Sequence, residues 1–159
     1  MDELVRQWRD ECPELDASAM QVVGRIIRLG RMFEAQAGAA LKPFDLPYTD
    51  FDIIATLRRS GKPYALTPGE LSRAVLLTSG AMTAALGRLE RAGLIRRLAD
   101  SSDRRIKAAQ LTAAGKRLAR KAAAVRFEVA RDALQGLSTP GRTALAKTLR
   151  SIDESSREG

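Results

Sequence analysis

Histidine is absent from all 159 residues, and cysteine occurs once, at Cys12. The first absence removes Ser-His-Asp and Cys-His catalysis, histidine-containing zinc sites and any histidine-based pH switch. The second leaves no intramolecular disulfide and is consistent with a cytoplasmic location. No apolar run approaches the roughly 18 residues that span a bilayer. The acidic, polar residues 1–10 do not resemble a signal peptide, so no membrane partner is expected. No glycine-rich phosphate cradle is present, and the carboxylate pairs fall mostly at helix starts and on exposed faces. Neither an enzyme, a cofactor nor a metal site is expected. Aromatic residues make up only 4% of the chain.

What remains is a helix-forming composition with 45% hydrophobic residues, ample for a core. The net charge is +8, and it is unevenly spread. Residues 1–57 carry 6 Lys and Arg against 10 Asp and Glu, whereas residues 86–126 carry 12 against 3. Such concentration is the footprint of phosphate binding, or else of a solvated basic helix.

Read along the chain, residues 3–11 form a short helix ended by Pro13. Asp16 caps a long helix in which Met20, Val23, Ile26, Ile27, Gly30 and Phe33 recur at three and four residues. Thr49 with Asp52 resembles a capping box for a helix through Ile53, Ile54 and Leu57, stopped at Ser60-Gly61. Thr67-Pro68-Gly69-Glu70 is a fuller start signal, opening a short helix that ends near Val75. Thr78 or Ser79 caps the next, with Met82, Ala85, Leu86 and Leu89 as its inward stripe and Gly93 as its stop. Residues 94–98 and 106–111 read as strands around a polar turn. Thr112 then caps a long helix toward Leu134, and Ser138 or Thr139 opens a last one through Leu145, Leu149 and Ile152.

The expected fold is therefore mainly α with a small β-hairpin: a winged helix-turn-helix at 48–111, with dimerisation helices at 1–47 and 112–159. The terminal helices have too little inward surface to stand alone and are expected to pack on a partner chain; one closed bundle is the alternative. The second helix of such a module enters the major groove of duplex DNA. Here it offers Thr78, Ser79, Gly80, Ala81, Thr83 and Ala84, with Arg88 able either to fork onto guanine or to contact backbone. Arg104 and Arg105, with Asp103 shaping the turn, suit a narrow minor groove, and Arg96, Arg97 and Lys107 on the strands suit phosphates. Lys116, Arg117, Arg120 and Lys121 form a basic helix face.

These pieces in order resemble the MarR (multiple-antibiotic-resistance regulator) family: Leu66-Thr67-Pro68-Gly69-Glu70-Leu71, Ser79-Gly80-Ala81-Met82-Thr83, Arg88-Leu89-Glu90-Arg91-Ala92-Gly93-Leu94-Ile95, Asp103-Arg104-Arg105 and Leu111-Thr112-Ala113-Ala114-Gly115. The resemblance runs from about Asp16 to about Ile152. It implies an obligate homodimer on palindromic promoter DNA, usually a repressor released by a small ligand, with Asp103 and Arg105 matching the family's Asp-x-Arg wing. Similar members often carry Asn-Arg where this chain has Ala84-Ala85, and Asp where it has Gly87. The reading helix is thus poor in polar side chains, and shape readout through the wing gains weight. Candidate residues around an anionic or aromatic effector are Trp8, Phe33, Phe44, Tyr48, Phe51 and Asp52, with core packing as the alternative for each. Trp8 and Asp52 are similar to the urate-responsive branch, which also uses an arginine that residues 84–85 lack. A peroxide-sensing version would use Cys12, yet that residue precedes the first long helix, and its acidic neighbours Asp10, Glu11 and Glu14 repel a thiolate. The remaining alternative is a sequence-tolerant architectural DNA binder.

Overall fold

The computed structural model describes residues 1–99 and 106–155. Its elements are α1 (Asp2–Glu11), α2 (Ser18–Leu41), a 3-10 turn at Lys42–Phe44, α3 (Tyr48–Arg59), β1 (Ala65–Leu66), α4 (Pro68–Val75), α5 (Ser79–Arg91), β2 (Ile95–Ala99), β3 (Ile106–Leu111), α6 (Ala113–Ala133) and α7 (Thr139–Ser155). Two of the expected helix starts are built differently. Asp16 accepts hydrogen bonds from Ser18 N (2.9 Å) and Oγ (3.0 Å), but the N-cap position of α2 belongs to Ala17. The Thr49–Asp52 capping box does not form. Phe51 N already donates to the Pro47 carbonyl at 2.9 Å, so the ladder begins two residues earlier and Thr49 lies inside α3.

The other caps follow the sequence. Thr67 Oγ1 accepts from Glu70 N at 3.2 Å while Glu70 accepts from Thr67 N at 2.7 Å, a complete capping box at the start of α4. Thr78 Oγ1 accepts from Ala81 N at 3.3 Å and opens α5. The three strands form an antiparallel sheet in the order β1-β3-β2, with Ala65 opposite Gln110 and Ile95 opposite Leu111, so the short β1 widens the expected hairpin.

Helix α3 runs through the centre of the core. Ile53, Ile54 and Leu57 are fully buried against Leu41, Leu71, Met82 and Leu89 from α2, α4 and α5. Helix α6 closes this core with Ala119 and Ala122, and packs along both α2 and α3. Its start is joined tightly to the sheet. Thr112 Oγ1 donates to the Gly93 carbonyl at 2.7 Å and accepts from Gly115 N at 3.0 Å. A Cβ on Gly115 would stand 2.0 Å from the Leu94 carbonyl oxygen, so only glycine admits this approach. Among the described residues, no helix is long and apolar enough to cross a membrane.

Candidate nucleic-acid interface and ligand groove

Helix α5 is divided lengthwise. Met82, Ala85, Leu86 and Leu89 are buried, whereas Thr78, Ser79, Gly80, Ala81, Thr83 and Ala84 are exposed. The period of 3.6 residues produces this division, and it turns the candidate reading surface outward. Much of that surface is small: the Thr83 hydroxyl donates back to the Ser79 carbonyl at 2.9 Å, and Thr78 is engaged in its cap.

Arg88 has a partner that its position in sequence did not reveal. Its Nε donates to Asp50 Oδ2 at 3.1 Å and its Nη2 to Oδ1 at 2.6 Å. Asp50 is buried, its side chain only 4% exposed, while that of Arg88 is 44% exposed. Bonding to Asp50 raises the guanidinium's pKa further above its ordinary value, against the lesser effect of desolvation. One edge of the guanidinium, Nε with Nη2, is thus occupied by a carboxylate of α3. A sequence signal for Asp50 exists: with Ile53, Ile54 and Leu57 it completes the i, i+3, i+4, i+7 stripe of α3. A carboxylate on a buried stripe requires a cation or several donors.

The strand arginines point to opposite sides, as a period of two dictates. Arg96 is exposed and donates through Nε to Gln110 Oε1 at 2.8 Å, while Gln110 Nε2 donates to the Pro63 carbonyl at 2.8 Å. Arg97 turns toward α5, where its Nε lies 2.9 Å from Glu90 Oε2. That contact is ionic without hydrogen-bond alignment, and the buried Nε–H has no acceptor. Lys107 lies in β3. Asp103, Arg104 and Arg105 lie outside the described residues. On the basic face of α6, Lys116 Nζ sits 5.3 Å from the Tyr64 ring centroid, and the Arg58 guanidinium 5.9 Å from it.

A groove of about 650 Å³ opens between α3 and α6, lined by Tyr48, Phe51, Asp52 and Ala55 on one side and by Ala119, Arg120, Ala123, Arg126 and Phe127 on the other. Arg58 and Arg59 complete it, so four arginines border a largely apolar floor. Tyr48 and Phe51 pack with ring centroids 6.3 Å apart and planes inclined at 38°. Burial pushes the Asp52 carboxyl above its ordinary pKa, opposed by Arg59 and Arg126. Phe127 is 73% exposed at the rim. Of the six effector candidates, Tyr48, Phe51 and Asp52 line this groove. Phe33 lines a smaller cleft of about 100 Å³ that shares Arg126 and Ala130 with it. Phe44 instead packs against the core, and Trp8, 47% exposed on α1, lines neither cleft. Arg58, Arg59, Arg126 and Phe127 went unselected in sequence, and Arg120 was read only as part of a basic helix face, because α3 and α6 lie some sixty residues apart and only the fold brings them together.

Residues 44–106 match the family model described as "MarR family". Over 154 residues the chain is 34% identical to the HTH-type transcriptional regulator PecS of Dickeya dadantii, covering 97% of this chain and 93% of that one. The chain belongs to the MarR family. It is a winged helix-turn-helix transcription regulator. Among solved structures, the MarR-family regulator AbsC of Streptomyces coelicolor superposes with a TM-score of 0.79 at 26% identity, covering 91% of this chain and 98% of AbsC. Rv2887 of Mycobacterium tuberculosis, solved in complex with p-aminosalicylic acid, superposes with a TM-score of 0.65 at 31% identity, over 80% and 95% of the two chains. The MarR match covers α3, α4, α5 and β2, the elements that carry the divided helix and one wall of the groove.

Proposed function

We propose that the chain is a cytoplasmic, homodimeric repressor that binds palindromic promoter DNA and is released by an anionic aromatic effector. The observation that carries this reading is the exposed amino end of α5, where Thr78, Ser79 and Gly80 stand clear of the core. That is the end which meets base edges and phosphates when such a helix enters a major groove. The wing, through Arg104 and Arg105, adds minor-groove contacts, and Arg96 and Lys107 add phosphate contacts.

The partner is a second copy of the chain. Helix α7 buries none of its residues and leaves Leu145, Leu149 and Ile152 each about 40% exposed. Trp8, Met20, Val23 and Ile27 of α1 and α2 are likewise uncovered. Two-fold pairing through these helices places two α5 helices on successive major grooves, roughly 34–36 Å apart.

The effector occupies the α3–α6 groove, where aromatic rings meet a ligand ring and arginines meet its carboxylate. Helix α3 links that groove to DNA: Asp52 faces the groove, and two residues earlier Asp50 holds Arg88 of α5. A ligand that favours a different seat for α3 shifts the spacing of the reading helices, a population shift. Fluorescence anisotropy on DNA upstream of the chain's own gene, against a scrambled duplex and over a salt series, tests the reading. The expected result is discrimination of about 10³ or more with a steep negative salt slope. Absence of binding at low salt would overturn it.

The bare reading surface, with Arg88 engaged by Asp50, favours a second reading as a sequence-tolerant architectural binder. Equal affinity for both duplexes would establish that one. The oxidation-sensing version rests on Cys12, half-buried at the end of α1, and unchanged release by peroxide in Cys12→Ser would end it.

A further inference from the structure

The turn between α4 and α5 holds two adjacent leucines with opposite fates. Leu77 folds inward and packs against the core. Leu76 is 91% exposed, more than any other large hydrophobic residue described, and its backbone is left-handed with φ of 52°. Each feature is unfavourable. The left-handed region suits glycine or asparagine and crowds the Cβ of a leucine, and an uncovered leucine forfeits the gain of burial. Among the described residues, none covers the Leu76 side chain. The turn is closed by Leu76 N and Leu77 N donating to the Ser72 carbonyl, bonds that need no side chain.

The neighbourhood of Leu76 is that of a DNA-facing surface. It stands two residues before Thr78, the cap of α5, beside exposed Ser79 and Gly80, and one turn after exposed Arg73. The apolar helices α1, α2 and α7, which take the second copy, are separate elements from the α4–α5 turn. We propose that Leu76 is an apolar DNA contact, packing on thymine methyl groups or deoxyribose carbons at the edge of the groove that α5 enters. The contact rests on the DNA-binding reading above and deepens it. A methyl contact distinguishes thymine from the other bases in the major groove.

Two substitutions test it on the intact dimer. Leu76→Asn keeps a similar size and suits the left-handed backbone. It is expected to match or exceed the wild-type Tm, by up to about 2–4 °C. Its Kd for the upstream duplex is expected to rise roughly tenfold, as when much of a leucine's burial is lost. Leu76→Met keeps the apolar reach and is expected to bind within about twofold of wild type. A duplex with deoxyuridine in place of thymidine separates the two contact sources. Wild-type affinity that falls toward that of Leu76→Asn marks a methyl contact, and unchanged affinity marks a sugar contact. If wild type binds the duplex and Leu76→Asn binds as tightly, the Leu76 proposal is overturned and the DNA reading stands. If wild type binds no duplex, both fall.

Discussion

Helices α3 and α7 are built from similar amphipathic patterns and end in opposite states. Helix α3 buries six of its twelve residues, including Ile53, Ile54 and Leu57 with no exposed surface. Helix α7 has seventeen residues and buries none. The first is buried by the rest of its chain, and the second presents an apolar stripe that the described residues leave about 40% exposed. Stability should therefore divide into a part independent of protein concentration and a part set by association.

Core truncation probes the first part most strongly. Leu57→Ala is expected to cost about 2–5 kcal/mol, read by chemical denaturation, with a shift in midpoint that does not depend on protein concentration. Leu149→Asp probes the second part. It is expected to raise the dimer dissociation constant by at least about 100-fold, because each of two copies loses a leucine's burial. Sedimentation at several concentrations measures this, and an unchanged dimer would remove α7 from the interface.

A smaller effect separates burial from charge within α3. Arg88→Ala leaves Asp50 buried without its cation and is expected to cost about 1–2 kcal/mol, below the figure for a fully buried pair because Arg88 is 44% exposed. Combining it with Asp50→Asn should recover part of that loss in a double-mutant cycle. Additive losses would show that the two side chains do not act as a pair.

The smallest effect should come from Asp52. Its raised pKa means that the folded state holds the proton more tightly than the unfolded state. Stability is therefore expected to fall as pH rises through the ordinary carboxylate range into the raised one, and to level off above it. Asp52→Asn should be more stable than wild type at neutral pH by under about 1 kcal/mol, since the site is partly solvated, and equal to it in acid. Salicylate, used as a probe anion, should bind this variant more tightly at neutral pH, and calorimetric titration reads the difference. Unchanged affinity would place the anion away from Asp52.

Elements governed by neighbours in sequence were legible beforehand. The Thr67–Glu70 capping box, the inward stripe of α5 and both strands of the hairpin depend on spacings of two to four residues. The Thr49–Asp52 box failed through a local competition, in which the Pro47 carbonyl began the helix first. What spacing did not reveal is longer in range. Arg88 is an outward residue of α5, as its spacing indicates, but Asp50, 38 positions earlier, is brought beside it. The arginines of the groove come from α3 and α6, and Phe33 and Tyr48 part company although they adjoin the same helix, α6. Spacing reports which face a residue takes, and only packing reports what stands opposite.

The joint at Thr112 makes this regulator a caliper. One hydroxyl binds the carbonyl just past the end of α5 and caps the arm α6, and Gly115 presses that arm onto the Leu94 carbonyl. Two hydrogen bonds and one close approach at this joint tie the start of α6 to the end of the reading helix. An arm of 21 residues is about 31 Å long, so a tilt of roughly 5° at one end sweeps the other through nearly 3 Å. In a two-armed instrument the sweep counts twice. The jaws can then lose their gauge on the double helix, whose successive major grooves lie about 34–36 Å apart.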